Sequence, residues 1–328
     1  MVVTARLHTE ALEAQHLSER ATPSASTKGR EVPEAEDDMR TCFQRDRDRI
    51  VHSKAFRRLA HKTQVFLAPE GDHYRVRLTH TLEVTQVART IARALRLNED
   101  LVEAICLGHD LGHTPFGHLG EEVVAAFLPG FRHNLQSVRI VEVLEALNLT
   151  WEVRDGIANH TWSMPTMPAT LEGQIARYAD RIAYLNHDID DAVRAGILRE
   201  DELPEQTTRV LGSSHSDRIK TMVGDLVETS EGGDSIEMSP SVFEAMKTTR
   251  SFLFEKVYVG RVGAETKSSV EEILGTLLEH HVSSGGPEGD PRVVAVDYVA
   301  GMTDRFALRA YQQVTGEPPP WVGDGALG

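Results

Sequence analysis

The stretch AICLGHDLGHTPFGHLGEE, residues 104–122, decides the fold class because it joins two helical patterns through a turn crowded with titratable side chains. Just before it, Asn98 followed by two acidic residues has the composition of a helix start. The apolar run that follows ends at His109 and Asp110, GHTPFG is typical of a turn, and a second helix is expected from about Gly117. The segment therefore predicts two helices that place histidine and aspartate side chains in an apolar setting.

The rest of the chain is also organised as helices. The segment LEGQIARYADRIAYLNHDIDDAVRAG predicts a long helix that Gly196 closes as a C-cap. HTLEVTQVARTIARALRL has its apolar residues near helical spacing. Further helices are expected at 216–228, 240–258, 267–282 and 291–314. No segment alternates apolar and polar residues strongly enough to indicate a sheet, so we predict an all-α fold.

Composition changes along the chain suggest three parts. Residues 1–38 are rich in Ser, Thr, Pro and acidic residues, and we expect them to be poorly ordered. Residues 39–200 carry the motifs described above and form the expected core. Residues 201–328 are expected to be a C-terminal helical portion packed on that core.

The composition fits a protein of a reducing compartment. The chain has 328 residues, of which 40% are hydrophobic, enough for a sizeable core. Its two cysteines, Cys42 and Cys106, make a disulfide framework improbable. There is no signal-peptide pattern and no apolar stretch long enough to cross a membrane. We therefore expect a cytoplasmic protein with no membrane association.

The charge of the chain is acidic overall but uneven. The formal net charge is −15, which excludes a general nucleic-acid coat. Residues 39–62, MRTCFQRDRDRIVHSKAFRRLAHK, are nevertheless locally basic. Such a segment in an acidic chain is consistent with a confined anion site. A solvated, salt-bridged helix face is the commoner meaning of a charge run in isolation, and both interpretations stay open.

Two histidines and two aspartates on the predicted helices have side chains of the kind that bind metal ions. His80 lies near a helix start, His109 and Asp110 lie together at a helix end, and Asp180 lies inside the long helix. Such groups suit a borderline or hard divalent metal such as Mn, Fe, Co or Mg, and they leave coordination positions open for water and substrate. A single histidine is more often a surface or capping residue than a ligand, so only the combination indicates a hydrolytic metal site.

Four blocks of sequence resemble the HD-domain metal phosphohydrolases, and among them the deoxynucleoside triphosphate triphosphohydrolases (dGTPase-like proteins). The blocks are RDRDRIVHSKAFRRLAHKTQVF, RLTHTLEV, GHDLGHTPFGHLGE and ADRIAYLNHDIDD, and DYVAGMTDRFALRAY near the C-terminus is also similar. The resemblance implies an HD-domain catalytic core in residues 39–200. It implies four metal ligands and a catalytic pair: His80, His109, Asp110 and Asp180, with His118 and Glu121.

The proposed catalytic pair is also plausible from its spacing. His118 and Glu121 are three residues apart on a predicted helix, so they share a face. A carboxylate beside an imidazole can orient the ring and stabilise its cation, which suits proton transfer at a phosphate. The alternative is that His118 is a histidine at a helix N-terminus whose partners are backbone groups.

The resemblance implies substrate contacts as well. Asp180, Tyr184 and Asp188 follow i, i+4, i+8 spacing and line one helix face. In the family the tyrosine and the second aspartate lie near the deoxyribose, where a ring beside C2′ discriminates against ribonucleotides. Alternatively, Tyr184 is a core aromatic residue. Arg77 matches a phosphate contact and Gln64 a position near the sugar.

Further candidates come from the same resemblance. Two histidines match residues that line the family's active site, and four basic residues are candidates for binding the triphosphate: His113 and His133, then Lys54, Arg57, Arg58 and Lys62. Asn159 and His160 in IANHTW have no role that spacing assigns. A Walker-type GxxxxGK[ST] loop is absent from the sequence, so basic side chains and metal are expected to hold the phosphates.

The expected reaction converts a dNTP and water to deoxynucleoside and tripolyphosphate, with the preferred base left open. One alternative is an HD-domain hydrolase of another phosphoester, such as a nucleoside monophosphate or a cyclic dinucleotide. Another is a nucleotide-binding regulator without turnover. The resemblance further implies a homo-oligomer, often a hexamer, and some relatives bind single-stranded DNA.

Overall fold

The computed structural model describes residues 4–64, 75–259, 264–285 and 288–320. Within these ranges the chain forms α-helices, with no β-strand beyond isolated bridges, which confirms the predicted all-α fold. None of the described helices is both long and apolar enough to cross a membrane. The helices are α1 (Ala5–His16), α2 (Cys42–His52), α3 (Lys54–Arg58), α4 (Arg77–Ala94), α5 (Glu99–Gly108), α6 (Gly117–Phe127), α7 (His133–Arg139), α8 (Trp151–Asn159), α9 (Leu171–Arg194), α10 (Glu205–Leu211), α11 (His215–Ser230), α12 (Pro240–Leu253), α13 (Ala264–Ser283), α14 (Pro291–Ala300) and α15 (Asp304–Thr315).

Helix boundaries follow local capping signals. The side chain of Asn98 accepts hydrogen bonds from two backbone N–H groups in the first turn of α5, as the sequence predicted. Gly196 follows α9 with a φ of 65°, the left-handed conformation expected of a C-terminal glycine. The single helix predicted for residues 291–314 is wrong. The chain breaks between α14 and α15 because Thr303 caps a new helix there.

The larger core is centred on α4, α5, α8 and α9, which pack against one another. Ile91, Ile105, Ile157 and Ile182 are fully buried in it, one from each of these helices. Burying such a side chain contributes about 1.5–3 kcal/mol relative to exposure. This packing brings the C-terminal end of α5 against α4 and α9, so that polar side chains from three helices can meet.

A second buried cluster joins α6 to the three last helices. Its members include Val124 of α6, Leu277 of α13, Val299 of α14 and Leu308 of α15. Helices α10 to α12 belong instead to the larger core, for example through Met222. The packing thus groups α10 to α12 with the preceding helices, and the division proposed near residue 200 stays a prediction.

The prediction of a poorly ordered segment over residues 1–38 is wrong for the part that the structure describes. Helix α1 forms the first part of this segment. The residues after α1 are held by hydrogen bonds to carboxylates of later helices. Glu172 accepts from the backbone N–H of Thr22 at 2.9 Å, and Glu152 accepts from that of Lys28 at 2.7 Å. Composition alone did not reveal this order because the carboxylates that create it lie more than a hundred residues away along the chain.

Candidate metal centre and active site

Four side chains from two helices and the end of a third converge on one buried point. His80 belongs to α4, Asp180 belongs to α9, and His109 and Asp110 directly follow α5. Nε2 of His80 lies 3.2 Å from Oδ1 of Asp180. Nε2 of His109 lies 3.6 Å from Oδ1 of Asp110 and 3.8 Å from Oδ1 of Asp180. The structure therefore brings together the four side chains that were predicted to bind a metal.

The imidazole of His109 is held in the form that a metal requires. Its Nδ1 lies 2.6 Å from the carbonyl oxygen of Cys106, one turn back on α5. Since a carbonyl only accepts, Nδ1 carries the proton and Nε2 carries the lone pair. That Nε2 is buried and has no hydrogen-bond partner among the residues that the structure describes. A cation at this point would satisfy an acceptor that is otherwise costly to bury.

A chain of hydrogen bonds that sequence reasoning missed orients His80. Its Nδ1 lies 3.4 Å from Nδ1 of His187, and Nε2 of His187 lies 2.7 Å from Oε2 of Glu83. Burial lowers the pKa of His187 to about 4, so this imidazole is neutral near pH 7. Its Nε2–H then donates to Glu83, and its Nδ1 can accept from His80, which leaves the lone pair of Nε2 of His80 for a cation. In the other tautomer Nε2 of His80 carries the proton and donates to Oδ1 of Asp180 at 3.2 Å. The position of Glu83, three residues after His80, was the one available signal.

Arg77, which was predicted to contact phosphate, is paired with a candidate metal ligand. Its Nη1 donates to Oδ2 of Asp110 at 2.8 Å, and both side chains are buried. Burial alone would raise the pKa of Asp110, but the neighbouring His109 and the guanidinium of Arg77 hold it well below its ordinary value. Burial likewise opposes the charge of Asp180, and His80 and His109 nevertheless hold its pKa below the usual range. Both aspartates are therefore ionised, as ligation requires.

The donor set fits a divalent cation. It consists of two imidazoles whose lone-pair nitrogens point inward and two ionised carboxylates, a combination that suits borderline and hard divalent metals. Ligand atoms bound at ~2.1 Å in a tetrahedron lie about 3.4 Å apart. The separations of 3.2 to 3.8 Å between the nitrogens and carboxylate oxygens are on that scale.

The turn after Asp110 is fixed against α7 by a close backbone approach. A Cβ added to Gly112 would lie 2.2 Å from the backbone nitrogen of Ser137, so only glycine fits there. Oγ of Ser137 accepts from the N–H of Gly112 and donates to the carbonyl of His109, both at 2.8 Å. Phe116 then takes the left-handed conformation with a φ of 61°, and α6 begins at the next residue. The turn thereby holds the candidate metal ligands and α6 in a fixed relation to α7.

The predicted catalytic pair lies together on α6, but Glu121 is bonded to a different histidine. Nδ1 of His118 lies 3.9 Å from Oε2 of Glu121, which is too far for a hydrogen bond. Nδ1 of His133 lies 2.9 Å from Oε1 of Glu121. Burial would raise the pKa of Glu121, but the charge and hydrogen bonds of His133 lower it to about 2. Burial opposes the charge of His133, yet Glu121 raises the pKa of this imidazole above its ordinary value.

Two further buried histidines border the same space. The ring of His113 stacks on that of His133 with a centroid separation of 4.6 Å. Nδ1 of His160 donates to the carbonyl of Ile157 at 2.8 Å, and its Nε2 lies 3.4 Å from Nε2 of His133. Sequence reasoning assigned His160 no role because it follows α8, which carries no other candidate ligand.

The residues proposed to bind the sugar lie on the side of His118. The ring of Tyr184 is edge-on to that of His118, with centroids 6.3 Å apart. Asp188, one turn further along α9, is fully buried and accepts a hydrogen bond from Tyr184. Burial raises the pKa of Asp188 well above its ordinary value. Gln64 is buried too, and its Oε1 has no hydrogen-bond partner among the described residues.

Lys62, a predicted triphosphate contact, is committed to the backbone instead. Its Nζ is buried and donates to the carbonyls of His113 and Ala300. Burial lowers the pKa of Lys62 from 10.5 to about 7. A neutral amine has two N–H groups and can satisfy both carbonyls, so this geometry does not need the charged form. The residue joins the turn after Asp110 to the end of α14 rather than reaching for phosphate.

Arg58 is used in a similar way. It donates to the carbonyl of Gly301 at 2.9 Å and to Glu145 at 3.3 Å. Carbonyls at the end of a helix lack helical partners, which explains why the cation is recruited there. Lys54 and Arg57 are exposed on α3. Their role in triphosphate binding stays a prediction.

Two regions of the chain match known protein families. Residues 77–185 match the HD domain family, and residues 281–313 match the phosphohydrolase-associated domain. The first match includes the four candidate metal ligands. The chain can be superposed on the crystal structure of a hypothetical protein from Aquifex aeolicus with a TM-score of 0.47 and 20% sequence identity. The superposition covers 82% of this chain and 69% of the Aquifex aeolicus protein.

Three similar proteins bear the name deoxyguanosinetriphosphate triphosphohydrolase-like protein. The protein of Caldanaerobacter subterraneus subsp. tengcongensis is 53% identical, over 95% of this chain and 96% of the relative. The protein of Desulfatibacillum aliphaticivorans is 47% identical, over 95% of this chain and 98% of the relative. The protein of Clostridium perfringens strain SM101 is 46% identical, over 94% of this chain and 97% of the relative.

Proposed function

The chain belongs to the family of HD-domain deoxyguanosinetriphosphate triphosphohydrolase-like proteins, and from this membership we propose that it hydrolyses dNTPs to deoxynucleoside and tripolyphosphate. The observation that carries the proposal is the convergence of the four candidate metal ligands beside the half-exposed imidazole of His118. Similar proteins of nearly the same length bear the triphosphohydrolase-like name, which supports the same reaction.

The ligand cluster prepares the site for a phosphate group. A divalent cation held by His80, His109, Asp110 and Asp180 would polarise the α-phosphate and lower the pKa of a bound water. Arg77 adds a buried positive charge next to Asp110, and its Nε has no hydrogen-bond partner among the described residues. Its contact with phosphate oxygens stays a proposal from the family resemblance, because the guanidinium itself is buried.

His118 is the residue proposed to move a proton at the reacting phosphate. Its side chain is 52% exposed, whereas the other histidines of the cluster are largely buried, so a substrate can reach it. Burial and the charge of Arg77 lower the pKa of His118, so the ring can take up a proton as a base, and the negative charge of Glu121 3.9 Å away favours the imidazolium that forms. Because Glu121 is hydrogen-bonded to His133, it acts on His118 through its charge rather than by holding the ring.

Tyr184 is proposed to select the sugar. Its ring borders His118, and the hydrogen bond to buried Asp188 fixes the phenol on α9. A fixed ring beside C2′ leaves no room for a 2′-hydroxyl, so deoxyribose is accepted and ribose is rejected. The buried, unsatisfied amide oxygen of Gln64 is proposed to bind the same part of the substrate.

A panel of the four dNTPs, assayed with added Mn²⁺, Mg²⁺, Fe²⁺ or Co²⁺ and analysed for tripolyphosphate, tests the reaction. We expect release of deoxynucleoside and tripolyphosphate in equal amounts. Alanine variants at each of His80, His109, Asp110 and Asp180 should lose bound metal and activity together. Hydrolysis only of monophosphates or cyclic dinucleotides, or nucleotide binding without turnover, would contradict the proposal.

Several finer features also belong to the proposal. The cation is one of Mn, Fe, Co or Mg, because imidazole and carboxylate donors suit these ions. A homo-oligomer such as a hexamer and binding of single-stranded DNA stay predictions from the family resemblance, and a cytoplasmic location stays a prediction from the sequence composition. Gel filtration with light scattering and a binding assay with labelled single-stranded DNA would check the first two.

A further inference from the structure

The carboxylate of Asp304, in the first turn of α15, joins two segments of the candidate active site. Its Oδ2 accepts from the backbone N–H and the hydroxyl of Thr63, at 2.8 Å and 2.5 Å. Its Oδ1 accepts from the backbone N–H of Phe116 at 3.0 Å. Thr63 directly precedes Gln64, and Phe116 lies two residues before His118. One side chain of the C-terminal helices therefore holds the segments that carry a proposed sugar contact and the proposed proton-transfer residue.

The backbone at Phe116 needs an anchor of this kind. Phe116 has a φ of 61°, a left-handed conformation that is unfavourable for a residue with a side chain. Such a conformation persists only where the surrounding structure fixes it. Asp304 fixes the N–H of Phe116, and the phenylalanine ring is buried in the cluster formed with α13 to α15. Because α6 begins at the next residue, this conformation sets the direction of the helix and the place of His118.

The two segments that Asp304 joins also contact each other. A Cβ added to Gly117 would lie 3.5 Å from the carbonyl oxygen of Gln64 and 3.8 Å from Nη2 of Arg77. The start of α6 is therefore packed against the backbone of Gln64 and against the guanidinium beside the candidate metal ligands. A shift of α6 would change the position of His118 relative to both groups.

The candidate metal ligands are anchored separately. They belong to α4, to the end of α5 and to α9, and Ser137 of α7 holds the turn after Asp110. Within the part of the chain that the structure describes, Asp304 makes hydrogen bonds to Thr63 and Phe116 and to none of the four ligands. Loss of these hydrogen bonds should therefore move His118 and leave the metal site assembled.

We propose that Asp304 is a positioning residue for hydrolysis, which holds the start of α6, and with it His118, in the place that proton transfer requires. The proposal rests on the proposed function, because it assumes that His118 moves a proton at the phosphate. Three donors converge on Asp304 from two segments, and the two oxygens of a carboxylate accept from all of them. Since a misplacement of about 1 Å can cost ~10²-fold in rate, the loss of one of these contacts should be visible in kcat.

Asp304→Asn tests the proposal because an amide has the shape of the carboxylate but only one acceptor oxygen. Its NH₂ group must face a backbone N–H on one side, so at least one of the two segments is released. We expect kcat for dNTP hydrolysis at saturating Mn²⁺ to fall about 10–100-fold, with the amount of bound Mn²⁺ unchanged. The measurements are made well below the melting temperature of the variant.

Asp46→Asn is the matched control. One oxygen of Asp46 on α2 accepts from the backbone N–H and the hydroxyl of Thr150, at 2.9 Å and 2.6 Å, as Asp304 does from Thr63. Asp46 is fully buried and paired with Arg30, so its substitution should lower the melting temperature at least as much. Neither of its partners belongs to the candidate site, so kcat should stay near that of the wild type.

Three results would overturn the proposal. They are a folded Asp304→Asn protein with the kcat of the wild type, an equal loss of kcat in Asp46→Asn, and a loss of kcat that only follows a loss of bound Mn²⁺. Asp304→Glu takes the place of Asp304→Asn if that protein does not fold. It keeps both oxygens but inserts one methylene between α15 and the two segments, so the same loss of kcat is expected, and Asp46→Glu is its control.

The NMR signal of the His118 ring separates this proposal from the proposed function, because it requires no turnover. The signal is assigned by its absence from His118→Asn. We expect its chemical shift to change in Asp304→Asn and to stay unchanged in Asp46→Asn. A wild type that does not hydrolyse dNTPs would remove the proposed function. An unchanged shift in Asp304→Asn would overturn the positioning of His118 by Asp304, whether or not dNTPs are hydrolysed.

Discussion

His187 is expected to control the affinity of the four-ligand site for its cation, although it is not one of the four ligands. In the chain Glu83–His187–His80 it supplies the acceptor for Nδ1–H of His80, with separations of 2.7 Å and 3.4 Å along the chain. In His187→Phe the buried Nδ1–H of His80 loses this acceptor, which costs about 1–3 kcal/mol. The proton can move to Nε2 instead, where it blocks ligation. Partners of this kind typically change metal affinity about 10–100-fold, or about 1.4–2.7 kcal/mol.

Two comparison variants separate this effect from general damage. Glu83→Gln keeps an oxygen that accepts from Nε2–H of His187, so its affinity for Mn²⁺ should stay closer to the wild type. His215→Phe is a matched control because its ring stacks with that of His187 at a centroid separation of 6.4 Å but is not part of the hydrogen-bond chain. We expect its affinity for Mn²⁺ to equal that of the wild type.

The assay is a Mn²⁺ titration of metal-free protein, with melting temperature and kcat at saturating Mn²⁺ measured on the same preparations. The dissociation constant should rise for His187→Phe, while kcat at saturation recovers most of its value. A folded His187→Phe protein that binds Mn²⁺ as tightly as the wild type would refute the reasoning. Equal losses in His187→Phe and His215→Phe would assign the effect to packing rather than to the tautomer of His80.

Three other predictions concern catalysis, sugar choice and pH. His118→Ala should lower kcat about 10²–10⁴-fold with bound metal and melting temperature nearly unchanged, and a destabilised but fully active protein would contradict its catalytic role. The wild type should hydrolyse dNTPs much faster than rNTPs, and Tyr184→Ala should reduce the ratio of the two rates. Equal rates in the wild type would exclude the proposed role of Tyr184 in sugar selection. Burial lowers the pKa of Lys62 from 10.5 to about 7, so the unfolded chain binds more protons between these values and stability rises with pH there, by at most about 1.4 kcal/mol per unit. The free energy of unfolding in urea should rise from pH 7 to pH 9 in the wild type and rise less in Lys62→Met. An equal rise in both proteins would contradict the prediction.

Features that depend on neighbours in the sequence could be predicted, and features that depend on distant contacts could not. Asn98 caps α5 through atoms two and three residues away, so a local pattern was enough. The order of the N-terminal segment depends on Glu152 and Glu172, more than a hundred residues further on. Lys62 appeared as one more cation in a basic run, because only folding brings it to the carbonyl of Ala300.

The candidate site shows the same limit. The four ligands were found through their resemblance to a family, and the structure brings them together. His187 and His160 gave no comparable signal because the groups that fix their tautomers, Glu83 and the carbonyl of Ile157, are recognisable only once the helices have packed. The partner of Glu121 was predicted to be His118, since helical spacing makes them neighbours, but the hydrogen bond goes to His133 across the turn.

Because α6 packs with α13 to α15, while α4, α5 and α9 form the larger core, the reaction centre lies on a seam between two separately packed parts of the protein. The candidate metal ligands belong to one side of this seam, and His118 and Glu121 belong to the other. Asp304 at the start of α15 accepts hydrogen bonds from the backbone N–H groups of Thr63 and Phe116, at 2.8 Å and 3.0 Å, and so links α15 to the segments before α4 and α6. A small displacement of α13 to α15 is therefore expected to move His118 relative to the candidate metal ligands, so that the rate of turnover can change while the affinity for metal does not.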